Sequence, residues 1–94
     1  MQTVFARHTA VERVILYGSR ALGTHRNGSD IDLAVSGNQL TFSKLLDLLI
    51  DLDKLELLYT FDIQNLQTIS NSDLLNHIHR VGVLIYQSPV IATA

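Results

Sequence analysis

Residues 16–35 read LYGSRALGTHRNGSDIDLAV, with Gly-Ser at 18–19 and Asp-Ile-Asp at 30–32. The stretch from Ser29 to Val35 alternates like a strand with one buried side. Ile31, Leu33 and Val35 take one face, and Asp30 and Asp32 share the other. Two carboxylates on one face of a strand repel each other, and strand interiors are poor in Asp. Their Cα atoms lie about 7 Å apart at about 3.3 Å per residue, so their side chains can converge on one cation. Magnesium suits such a pair, because it takes oxygen ligands and is held by one or two carboxylates together with substrate phosphates.

The residues just upstream supply a complementary half. Val14-Ile15-Leu16-Tyr17 is a β-branched and aromatic run that reads as a buried strand ending at Gly18. Glycine lets a phosphate approach the backbone, and Ser19 is a good N-cap for a short helix, Arg20-Ala21-Leu22, that Gly23 can close. A helix start offers free N–H groups and positive dipole to an anion. Asn27-Gly28 marks the turn back into the second strand. One loop therefore offers phosphate donors and the next strand offers acids, a pairing that suits a nucleoside triphosphate with bound magnesium.

Working outward, residues 4–12 read as a short helix. Residues 41–53 read as a second, capped by Thr41 or Ser43, and Ser70–Arg80 as a third that ends at Gly82. Leu57–Leu66 is a third strand, with Phe61 and Ile63 on one face and Thr60, Asp62 and Gln64 on the other. Asp62 is the natural third acid. Val83–Tyr86 is a last short strand. The order predicts an α/β (α+β) fold, a small mixed β-sheet with helices packed on one face. The 94 residues suit one domain over 1–94, with a core at about 14–86 and a loose tail at 87–94.

Composition narrows the function classes. The formal net charge is −2, and seven Lys and Arg spread along the chain make no basic patch, which argues against direct binding of long nucleic acid. The absence of cysteine removes disulfides and thiolate metal sites and fits a cytoplasmic protein. The most apolar stretch, LLDLLIDLDKLELL, is broken by charges every few residues and does not span a bilayer.

Gly18-Ser19, ten residues, then Asp30-Ile31-Asp32 resembles the Gly-Ser-x10-Asp-x-Asp signature of the DNA polymerase β-like nucleotidyltransferase superfamily. The wording YGSRALG…GSDIDLAV is most similar to the minimal nucleotidyltransferases, including MntA-type antitoxins, and FDIQNL…LLNHIHRVGVLIY resembles the end of that domain. The resemblance runs from about Val14 to Tyr86. It implies a polymerase β-like fold and transfer of a nucleotide from ATP or another triphosphate to a hydroxyl, with release of pyrophosphate. Asp30, Asp32 and Asp62 would be both catalytic residues and ligands of two Mg2+ ions. Gly18, Ser19 and Arg20 would bind the phosphates. In the resembling antitoxins, AMP goes to a tyrosine of a helical HEPN ribonuclease toxin, which implies a HEPN-type partner and a place in a toxin-antitoxin pair. Two alternatives stay open: a non-catalytic or slow module that neutralises such a partner by binding, and a transferase for a small molecule such as an aminoglycoside.

Single residues also have plainer readings. Arg26 and His25 fit a solvated loop, and Ser29 fits a turn cap. His77 and His79, two apart on a helix, point to different sides and make a poor metal site. In 41–53, Phe42, Leu45, Leu46, Leu48, Leu49, Ile50 and Leu52 cover about 220° of the helix, whereas one core needs a stripe of little over 100°. The surplus fits a helix wedged between the sheet and a neighbouring helix, or, the reading preferred here, an exposed apolar strip that binds another chain in a homodimer or hetero-oligomer.

Overall fold

A computed structural model of the chain describes residues 2–17, 30–55 and 60–89. The elements run α1 (Gln2–Arg7), β1 (Arg13–Tyr17), β2 (Asp30–Ser36), α2 (Phe42–Leu55), β3 (Thr60–Asn65), α3 (Ser72–Val81) and β4 (Val83–Gln87). A single turn of 3-10 helix, Leu66–Thr68, follows β3. The four strands form one sheet in the order β3-β2-β1-β4. β1 is antiparallel to both β2 and β4, and β2 runs parallel to β3. The sheet is mixed because α2 carries the chain back across its face between β2 and β3, the connection that a parallel pair requires.

One face of the sheet holds the main core. Val14 from β1, Ile31, Leu33 and Val35 from β2, and Phe61 from β3 are buried there against Val4 and Phe5 of α1 and Leu45, Leu48 and Leu52 of α2. The three α2 leucines recur at helical spacing, and each fully buried leucine contributes about 1.5–3 kcal/mol. Thr41 caps the helix: its hydroxyl accepts from Lys44 N–H at 3.2 Å and its carbonyl from Leu45 N–H at 2.9 Å. His8 Nε2 lies 2.7 Å from Asp51 Oδ2 and ties the end of α1 to α2.

The other face carries Tyr17, Ala34 and Ile15, and α3 packs there through Ile78, Leu74 and Val81. The expected mixed sheet is present, but the helices divide: α1 and α2 cover one face and α3 the other. The reason is that the acid-bearing face is polar only at one end. Ala34 stands two residues after Asp32, and Ile15 is its neighbour on β1, so the remainder of that face is apolar and takes a helix. Gly82 allows the close approach. Its N–H donates to Ile78 O at 2.8 Å, and a Cβ there would run into that oxygen and into Ile15. Asn71 caps the start of α3, its side chain accepting from Asp73 N–H at 2.9 Å and Leu74 N–H at 3.2 Å.

Other boundaries shift slightly. α1 stops at Arg7 rather than residue 12, because a turn closed by Val11 N–H to His8 O at 2.9 Å drops Val11 into the core. β3 is described from Thr60 and gives way to the 3-10 turn at Leu66, one residue inside the expected strand. Gln87 belongs to β4 and Ser88 N–H donates to Glu12 O at 2.7 Å, so the sheet holds the chain past residue 86. The expected helix at 20–22 and the Asn27-Gly28 turn lie outside the described residues. No helix among those described is long and apolar enough to cross a membrane.

Candidate active site

Three neighbouring strands contribute one row of side chains. Tyr17 of β1 pairs with Asp32 of β2, and Asp32 pairs with Asp62 of β3. Paired residues in a sheet project from the same face, so the phenol and the two carboxylates stand side by side on strands about 4.8 Å apart. Asp30 begins β2 and pairs with Thr60. It is described through its backbone alone. The opposite alternation buries Ile31, Leu33 and Phe61, so the core fixes which way the acids point.

The electrostatics agree with this row. The Tyr17 side chain is 6% exposed. Its phenol is pushed up to about 12, first by burial, then by the negative charge of Asp32, then by that of Asp62. Tyr17 therefore stays protonated at neutral pH and brings an O–H to the polar end of this face, beside Asp32 and Asp62. Its ring meets His77 of α3 edge-on, with centroids 6.3 Å apart. Asp62 itself is exposed.

A hard cation fits the donor set. Asp32 and Asp62 present carboxylate oxygens from adjacent strands with no nitrogen or sulfur ligand among them, the chemistry that selects Mg2+ over zinc or copper. Among the described residues no three His, Cys, Asp or Glu side chains gather as a metal-binding group. β1 ends at Tyr17, directly opposite Asp32. Gly18, Ser19 and Arg20 follow it in the sequence and lie outside the described residues, as do His25, Arg26 and Ser29.

The family comparison decides the reaction class. The profile for Polymerase beta, Nucleotidyltransferase matches residues 1–89. This chain belongs to the polymerase beta nucleotidyltransferase family. Several solved structures share the nucleotidyltransferase fold. A chain from a toxin-antitoxin crystal structure with AMP-PNP is 20% identical, with a TM-score of 0.73 over 95% of this chain and 75% of that one. A chain from a mutant MntA-HpeT toxin-antitoxin structure is 19% identical, with a TM-score of 0.73 over 94% and 70%. A third comes from a rebuilt structure of a tri-AMPylated Shewanella oneidensis HEPN toxin in complex with MNT antitoxin. It is 18% identical, with a TM-score of 0.61 over 94% and 74%. No curated protein matches this nucleotidyltransferase in sequence.

Two features of the site region were not singled out in the sequence. Tyr17 reads there as one more strand residue, and only its register opposite Asp32 reveals it as part of the acid face. His77 is read there only as half of a poor metal pair, and the structure sets it half-buried against Tyr17 while His79, on another side of the helix, is exposed. Away from this face, α2 divides its apolar residues as its wide arc predicts. Leu45, Leu48 and Leu52 face the core, whereas Phe42, Leu46 and Ile50 are 74%, 42% and 52% exposed. These three follow at i, i+4 and i+8 and form one strip along the outside of the helix.

Proposed function

We propose that this nucleotidyltransferase moves AMP from ATP to a tyrosine hydroxyl of a helical HEPN-type ribonuclease, as the antitoxin of a toxin-antitoxin pair. The observation that carries the chemistry is the in-register Asp32–Asp62 pair beside Tyr17. Asp30, Asp32 and Asp62 would hold two Mg2+ ions, and Asp62 would be the acid nearest the acceptor. When bound, the ions supply positive charge to the attacking and leaving oxygens of the displacement. Gly18, Ser19 and Arg20 hold the phosphates. The acceptor oxygen forms a bond to the α-phosphorus, the α–β bridge breaks, pyrophosphate departs, and the acceptor proton passes to Asp62. Tyr17, protonated and largely shielded from water, keeps the wall beside the acids neutral. The partner reading draws on the nature of the structural relatives and on the bare strip of α2.

A second reading is favoured by that strip: the chain neutralises its partner by binding through Phe42, Leu46 and Ile50, with no transfer. One experiment separates the two. The chain is incubated with α-labelled ATP, Mg2+ and the product of the neighbouring gene. Label on a partner tyrosine, lost in Asp32→Asn, supports transfer. A tight complex that forms equally well with Asp32→Asn and carries no label supports binding alone. Label on neither protein, together with no complex, overturns both readings.

A further inference from the structure

A recess opens on the side of the sheet away from Asp32 and Asp62, between the end of α1 and the first turns of α2. It has a volume of about 190 Å³, and Arg7, His8, Thr9, Ala10, Lys44 and Asp47 contribute to its walls. Its charges are unevenly satisfied. The ion pair found among the described residues is His8–Asp51, and neither Arg7 nor Lys44 reaches a carboxylate there. Lys44 Nζ makes one long contact, donating to Gln39 O at 3.4 Å. Thr9 and Ala10 are the central residues of the turn closed by Val11 N–H to His8 O, and among the described residues neither of their N–H groups has an acceptor. Two cations and the Thr9–Ala10 turn thus border one cavity, opposed by Asp47 in its wall and by Asp51 within electrostatic reach of Arg7.

Size limits the occupant. Liquid water takes about 30 Å³ per molecule, so the recess has room for about six waters. Drug-sized ligands need about 300–1,000 Å³. A single tetrahedral oxyanion with a few waters fits, and charge-assisted hydrogen bonds from guanidinium, ammonium and backbone amides are the donors such an anion takes. We propose that this recess is a binding site for inorganic phosphate, held by Arg7, Lys44 and the Thr9–Ala10 turn and separate from the nucleotide-binding face.

The test is an amide NMR titration of the full chain without Mg2+, using sodium phosphate in one arm and sodium chloride of matched ionic strength in the other. Phosphate should produce saturable shifts at Thr9, Ala10 and Lys44, and chloride should not. Arg7→Gln and Lys44→Met should each raise the dissociation constant by about fivefold or more, and Asp47→Asn should lower it by about threefold. All three residues lie at the surface, so thermal melts of the variants should match the parent. Equal shifts in the two arms, shifts confined to the Tyr17–Asp32–Asp62 face, or phosphate affinity indifferent to all three substitutions would each overturn the proposal.

Discussion

Raising the pH should ionise Tyr17 late and destabilise the fold in doing so, by an amount the site geometry sets. The phenol is pushed up to about 12 by burial and by the charges of Asp32 and then Asp62, against about 10 in the unfolded chain. Below pH 10 both states hold the proton and the contribution is intact. Between about 10 and 12 the folded state binds the proton more tightly than the unfolded state, so stability falls as pH rises. The full loss is about 3 kcal/mol, and about half of it is reached by pH 11. Tyr17→Phe removes the group and leaves Tyr59 and Tyr86 as internal controls. Urea unfolding at pH 9 and pH 11 should show the parent losing about 1 kcal/mol more than Tyr17→Phe over that interval. In parallel, the near-ultraviolet tyrosinate signal, parent minus variant, should show about one-tenth of Tyr17 ionised at pH 11, where an ordinary phenol is about nine-tenths ionised. Asp62→Asn should move that curve to lower pH. A difference curve centred near 10, or equal alkaline losses in the parent and Tyr17→Phe, would refute the claim that the phenol shares a shielded face with the two acids.

Three further outcomes follow from the packing of the molecule. Asp62→Asn should lower nucleotide transfer by about a hundredfold or more. Metal-free stability in that variant should stay within about 0.5 kcal/mol of the parent, because the side chain is exposed and its neighbour is a like charge; transfer assays and urea melts check the two halves. Gly37→Ala should cost about 3 kcal/mol in chemical denaturation, since a Cβ there would collide with the backbone oxygen of Ala10. The Asp51 carboxyl is held below its ordinary value chiefly by its hydrogen bond to His8, with the charges of His8, Arg7 and Lys54 adding to the effect and burial opposing it. Its stabilising contribution is therefore present above the usual carboxylate range and is lost as pH falls through the lowered value, and His8→Ala should return the carbon-13-detected titration of Asp51 towards normal.

The sequence made some of this architecture legible and hid the rest. Alternation identified β2 and β3 and put Asp32 and Asp62 off the core face, because burying Leu33 and Phe61 leaves these two acids no other side. The excess width of the apolar arc in α2 foretold both its buried leucines and its bare strip. The placement of α3 was not legible. Tyr17, Ala34 and Ile15 look like ordinary strand residues, and only pairing across three strands reveals a second apolar surface beside the acids. The role of Tyr17 was hidden for the same reason, since its register is set by a partner strand thirteen or more residues away in the chain. The early end of α1 was equally obscure: nothing in HTAV announces a turn, and it is tertiary burial of Val11 that imposes one.

The parallel join of β2 to β3 has a consequence for how the protein can fail. Sliding β3 by one position would offer Phe61 or Ile63 to the nucleotide in place of Asp62, and would at the same time drag Phe61 out of the hydrophobic interior. Misalignment thus carries its own penalty. A copy that zips up wrongly forfeits compactness along with its row of acids, so a slipped register does not persist as a well-packed product.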